Sequence, residues 1–173
     1  MLADADEFPF DPDQILEALE THGVSYVLVG GVAARAHGAL RSTADIDCVP
    51  DTSSENLDRL AAVLRQLNAR LRVAGMTDEE ARQLPVQLDA LTLASFGSST
   101  WMTDAGPLDL LVELRDNAGG RHPFSDLIVR ATDVTIGRIV VRVASLSDII
   151  ASKEFADRPK DRDALPELRS LLP

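Results

Sequence analysis

Asp45-Ile46-Asp47 places two carboxylates one residue apart in an apolar stretch of the chain. Side chains alternate faces along a strand, so Asp45 and Asp47 project to one side and Ile46 to the other. One face becomes a metal site and the other a core. Like charges so close raise each other's proton affinity unless a cation is shared between them. Mg2+ takes hard oxygen ligands and is usually held by one or two carboxylates together with substrate phosphates, and Mn2+ suits the same donors. The pair therefore points to a phosphate-bearing substrate.

The elements that must position this pair lie just upstream. Val24-Ser25-Tyr26-Val27-Leu28-Val29 is a β-rich run, Gly30-Gly31 reads as a turn, and Val32 to His37 is compatible with a helix. Glycines let backbone approach a phosphate, and the free N–H groups at a helix start favour an anion, which makes Gly30 and Gly31 candidates for a triphosphate cradle. No Gly-Lys-Ser/Thr follows and the three-glycine dinucleotide fingerprint is missing, so the pattern is neither a P-loop nor a Rossmann turn.

Gly30-Gly31-Val32-Ala33, His37-Gly38 and Arg41-Ser42-Thr43-Ala44-Asp45-Ile46-Asp47 together resemble the signature of the nucleotidyltransferase superfamily typified by DNA polymerase beta. The closer resemblance is to its AbiEii and MenT-like group, whose members often read Gly-Gly-x-Ala, His-Gly and Arg-x-Thr-x-Asp-Ile-Asp. The resemblance implies a third carboxylate on a neighbouring strand. Pro107 to Leu114 offers Asp109 inside an apolar run, with Glu113 as the alternative ligand. It also implies that Ser147 to Lys153, followed by Arg158-Pro159-Lys160-Asp161, is the family's ending: a helical lysine, then Lys-Asp and a final helix.

By the same resemblance, Asp45, Asp47 and Asp109 hold two Mg2+ ions, or Mn2+. Gly30, Gly31, Arg41, Thr43, Lys153 and Asp161 bind a nucleoside triphosphate. An acceptor hydroxyl attacks the α-phosphorus, pyrophosphate leaves, and Asp109 acts as the local base. The implied acceptor is the acceptor end of transfer RNA, and the implied setting is a toxin with a cognate antitoxin protein. Three alternatives stay open: a small-molecule acceptor of the aminoglycoside or lincosamide kind, a partner protein as acceptor, and a nucleotide-binding module without turnover.

Bulk properties set further bounds. With 173 residues, 45% hydrophobic, the chain is the size of one globular domain, read as residues 1–173 with a helical part at about 145–173. The expected fold class is α/β (α+β), a nucleotidyltransferase fold whose twisted mixed sheet is flanked by helices and open at the catalytic edge. No stretch is apolar enough to cross a bilayer, and Met1 to Glu7 is acidic where a signal peptide is basic, so a soluble, cytoplasmic protein is expected. Cys48 stands alone, which excludes an internal disulfide and reads as a small buried strand residue. A net charge of −11 argues against broad binding to nucleic acid, although Arg65, Arg70, Arg72, Arg138 and Arg142 are candidates for a local basic groove.

Along the chain, Asp11 caps a first helix over Gln14 to Glu20 with Gly23 beyond, and Pro50 to Ser54 leads into a second with Leu57, Leu60, Ala61, Leu64 and Leu67 at helical spacing. Thr77-Asp78-Glu79-Glu80 looks like a helix start and Pro85 like a break, in a region from Val73 to Phe96 that is otherwise hard to read. Ser99 to Thr103, the turn Asp104 to Pro107, and the Asp109 run predict a hairpin beside the metal strand. Asn117 to Pro123 reads as a flexible loop, followed by strands at 132–136 and 138–143 and by helices to the end. His37 reads as a packed histidine rather than a catalytic one. Simple solvated faces or salt bridges compete with a site role for Arg41, Lys153 and Asp161.

Overall fold

The computed structural model describes residues 9–173. The acidic segment Met1 to Glu7 lies outside the described residues.

Helix α1 (Pro12–Thr21) is capped by Asp11, whose carboxylate accepts from the Gln14 amide at 3.0 Å, and it buries Ile15, Leu16, Ala18 and Leu19. Strand β1 (Tyr26–Val29) is buried along its whole length. Helix α2 (Gly30–Ala36) starts on the glycine pair itself, so no separate turn stands between strand and helix. Strand β2 (Ile46–Pro50) runs antiparallel to β1, and helix α3 (Ser54–Gln66) buries the predicted leucine stripe. Buried Asn56 ties α3 to the ends of both strands: its amide donates to the Ser25 and Asp51 carbonyls at 2.8 Å, and its carbonyl accepts from the Ser25 N–H at 2.7 Å.

Strand β3 (Arg70–Leu71) is followed by helix α4 (Asp78–Arg82), closed by a Thr77–Glu80 capping box, and by helix α5 (Ala90–Phe96), which the sequence did not signal. Strands β4 (Ser99–Thr103) and β5 (Gly106–Leu110) form the predicted hairpin. The Thr103 hydroxyl locks its turn, donating to the Gly106 carbonyl at 2.6 Å and accepting from the Ala105 N–H at 3.1 Å. The strand formed by the apolar run from Pro107 stops at Leu110, before the run itself ends. Residues beyond it form β6 (Glu113–Arg115), paired with β7 (Arg121–Pro123) in a separate two-stranded sheet, so the expected flexible loop is largely a hairpin. Asp116 closes that hairpin by accepting from the Ala118 and Gly120 amides, each at 2.8 Å. Helix α6 (Phe124–Arg130) follows, then the strands β8 (Thr132–Ile136) and β9 (Ile139–Val143), and finally α7 (Leu146–Ala156) and α8 (Pro159–Ser170).

The main sheet has the order β3-β4-β5-β2-β1-β9-β8 and is mixed, with β2–β5 and β1–β9 parallel. The period of two sorts its central pair. Ile46 and Cys48 stand beside Leu108 and Leu110, all buried in the core, while Asp47 stands beside Asp109 on the other face. This mixed α/β architecture is the fold class expected from sequence. Arg70 and Arg142, two of the candidates for a basic groove, are not brought together. Arg70 lies on β3 at one edge of the sheet, where it is paired with Asp78, whereas Arg142 lies on β9 near the other edge, bonded to Asp133 and the Ile128 carbonyl. No helix among the described residues is long and apolar enough to cross a membrane.

Candidate active site

Asp45 sits one residue before β2, Asp47 on β2, and Asp109 directly opposite Asp47 on β5. One carboxylate oxygen from each lies within 4.8 Å of the other two. The Thr43 hydroxyl donates to Asp45 Oδ1 at 3.0 Å and so fixes that carboxylate. Asp109 Oδ1 is buried and has no hydrogen-bond partner among the described residues. A buried, unpaired carboxylate oxygen is costly unless a cation completes it, and three converging hard oxygen donors fit a divalent metal of the Mg2+ class.

Electrostatics agree with this geometry. Burial, reinforced by the charges of Asp45 and Asp109, pushes the Asp47 carboxyl up to about 7 against a weaker pull from Lys160. Burial also raises Asp109, opposed by the neighbouring Thr100 side chain. Burial raises the Cys48 thiol, which keeps it a neutral core residue as expected.

The glycine pair has a steric reason to be glycine. Gly30 has φ +68°, and a Cβ there would run into the Asp47 carboxylate; a Cβ on Gly31 would lie 2.5 Å from Thr43 Oγ1. The two glycines therefore make room for the acidic strand and its threonine support.

Facing the carboxylates across a cleft of about 360 Å3 is a wall from α7 and α8 that carries Lys153, Arg158 and Lys160. The Asp161 side chain, 0% exposed, holds that wall together: Lys153 Nζ donates to it at 3.2 Å and Arg158 Nε at 2.6 Å. These contacts lower the Asp161 pKa despite its burial. Arg41 also lines the cleft, with its guanidinium donating to the Asp163 carbonyl of α8 at 2.8 Å. The His37 Nε2 bonds the Ala144 carbonyl at 2.8 Å, a packing role. Glu113 is not near the acidic cluster. It pairs with Arg121 at 2.8 Å and Arg115 at 3.2 Å on β6–β7, because β5 ends before reaching it.

Asp45, Asp47, Asp109, Gly30, Gly31, Arg41, Thr43, Lys153 and Asp161 thus all line one cleft. Arg158 and Lys160 were missed as site residues. Both stand in the Arg158-Pro159-Lys160-Asp161 segment that resembles the family's ending, where only Asp161 is expected to bind nucleotide, because the density of charge from Arg158 to Asp163 reads equally well as a solvated helix face.

A family model described as nucleotidyl transferase AbiEii toxin, type IV toxin–antitoxin system, matches residues 14–165. The chain belongs to this family. As an AbiEii-family protein it is a nucleotidyltransferase, an enzyme of a toxin–antitoxin family. Solved structures of similar fold include the lincosamide antibiotic adenylyltransferase LnuA bound to lincomycin, at TM-score 0.62 and 15% identity over 95% of this chain and 99% of that one. The antibiotic-resistance factor ANT(2″)-Ia in complex with adenylyl-2″-tobramycin superposes at 0.56 and 17%, over 90% and 83% of the two chains. A putative nucleotidyltransferase from Thermotoga maritima gives 0.54 and 13%, over 96% and 99%. At such identities the likeness is one of fold. No curated protein matches in sequence.

Proposed function

We propose that this AbiEii-family enzyme transfers a nucleoside monophosphate from a nucleoside triphosphate to an acceptor hydroxyl at the acceptor end of transfer RNA, and that it acts as a toxin. The observation that carries the catalytic part is the meeting of Asp45, Asp47 and Asp109 within 4.8 Å, opposite a cationic wall. The transfer RNA and toxin parts rest on the family and on the motif from Gly30 to Asp47.

In this reading Asp45, Asp47 and Asp109 hold Mg2+, which when bound supplies charge neutralisation and Lewis acidity at the α-phosphate. Thr43 orients Asp45. Lys153, positioned by Asp161, and Arg41 neutralise phosphate charge. Asp109, with its raised proton affinity, accepts the proton of the acceptor hydroxyl as the oxygen attacks the α-phosphorus and the bond to pyrophosphate breaks. Gly30 and Gly31 bring the backbone of α2 near the phosphates.

The test is incubation of the purified protein and Mg2+ with each labelled nucleoside triphosphate and total transfer RNA, beside an Asp45→Ala control. Label in the RNA that requires Asp45 supports the reading; no label in RNA refutes the acceptor. A second reading, a small cationic acceptor, draws on the net charge of −11 and on the antibiotic-modifying enzymes among the similar folds. It predicts label on an aminoglycoside or lincosamide in the same assay.

A further inference from the structure

Resting on that reading of the reaction, we infer that Arg72 is a specificity residue on the acceptor side: it engages a backbone phosphate of a polynucleotide whose terminal hydroxyl lies at Asp109. The sheet register places it there. Asp47 on β2 stands beside Asp109 on β5, and Asp109 stands beside Thr100 on β4. Arg72 follows β3 directly and continues its pairing with β4, its N–H donating to the Thr100 carbonyl at 2.9 Å. Register partners share a face of the sheet, so Asp47, Asp109, Thr100 and Arg72 form one row on the face that carries the acidic cluster.

Arg72 lies two strands beyond Asp109, about 10 Å across the sheet, and its charge still acts on the Asp109 carboxylate. Its side chain is exposed and makes no hydrogen bond or ion pair among the described residues, whereas Arg70, on the same face two residues earlier, is held by Asp78. The glycine pair and the cations of α7 and α8 line the cleft together with the carboxylates, but no residue of β3 or β4 does. Asp109 is thus where the cleft gives way to β4. An acceptor hydroxyl received there comes with the rest of its molecule lying over Thr100 toward Arg72. A nucleic-acid strand presents, one sugar away from its terminal hydroxyl, a phosphodiester that a guanidinium binds through paired N–H donors. A small polycationic acceptor meets a like charge in the same place. Arg72 therefore favours the polynucleotide.

The experiment is the transfer assay on the full chain with Mg2+, total transfer RNA and the labelled nucleoside triphosphate that wild type uses, run at several salt concentrations for wild type, Arg72→Ala and Arg72→Lys. Arg72→Ala is expected to lower kcat/KM for the RNA about tenfold through a raised KM, the loss of a charge-assisted contact, with KM for the nucleotide within about twofold. The slope of log kcat/KM for the RNA against log salt should become shallower by about 0.7–1, as one phosphate contact is lost. Arg72→Lys keeps the charge and should restore the slope and most of the affinity. An RNA KM and salt slope unchanged in Arg72→Ala overturn the inference, as does equal weakening of RNA and nucleotide. So does a loss confined to kcat, which means that Arg72 acts through Asp109 and not on the acceptor. Each of these results leaves nucleotidyl transfer to RNA standing. A wild type that labels no RNA overturns both.

Discussion

Asp47 and Asp109 stand side by side as register partners in the parallel β2–β5 pair, each burdened by burial and by its carboxylate neighbours. Two acids placed so closely on one sheet face are an arrangement that an apo protein tolerates by holding a proton and a metal-bound protein by holding a cation.

That proton gives the first prediction. In the metal-free protein Asp47 keeps it up to about pH 7, where an ordinary aspartate releases it near 3.8. Between those values the folded chain binds more protons than the unfolded one, so stability is present in full below the lower value and is lost as pH rises through the higher. The carboxylates with lowered values, such as Asp78 and Asp161, act in a lower window and in the opposite sense. Thermal melts from about pH 5 to about pH 8 should therefore fall without metal and flatten with Mg2+. A metal-free Tm that climbs across the range contradicts this account.

Metal affinity should follow the same group. Below about pH 7 an ion must displace the Asp47 proton, so affinity for Mn2+, followed by its paramagnetic signal, is expected to drop about tenfold per pH unit. A flat profile would place the ion elsewhere.

Replacing a carboxylate separates function from stability. Asp47→Asn relieves the repulsion and should raise the metal-free Tm at neutral pH, while lowering nucleotidyl transfer by at least about 10²-fold. Transfer that survives in this variant refutes the site.

The glycine pair should be intolerant of a single methyl group. Gly30→Ala puts a side chain at φ +68° and against Asp47, for an expected loss of about 1–3 kcal/mol from backbone strain alone and a larger loss of activity. Denaturant melts and a transfer assay on the same sample check both.

Asp161→Asn removes a wholly buried charge from Lys153 and Arg158. We expect about 2–3 kcal/mol of destabilisation, since the two cations are partly solvated, together with a raised KM for the triphosphate. Growth assays extend the series to the cell: expression of wild type should arrest growth and Asp45→Ala should not.

Much of the cleft is readable before any coordinates exist. Gly30, Gly31, Thr43, Asp45 and Asp47 lie within one short stretch, so their alternation and spacing announce one site. The leucine stripe of α3 and the strand pairs around Gly106 and Gly137 are equally local patterns. What went unread has a common cause. Helix α5 is short, and its cap at Asp89 follows an irregular stretch. The β6–β7 hairpin hides behind Gly119-Gly120, which composition alone reads as a loop. The end of β5 at Leu110, and with it the exclusion of Glu113, depends on where pairing with β2 and β4 runs out.

The amino-acid sequence by itself determined the fold class, the acidic strand and its glycines, because each depends on residues near one another in the chain. Only the tertiary structure decided that Asp109 stands opposite Asp47, that Asp161 is buried as an anchor for Lys153 and Arg158, and that Arg70 and Arg142 lie toward opposite edges of the sheet. Strand order and helix packing set the pairing of Asp47 with Asp109 and the burial of Asp161, as they set the contacts of His37 with Ala144 and of Arg41 with Asp163, which join residues more than a hundred positions apart and leave no periodicity for a linear reading to find.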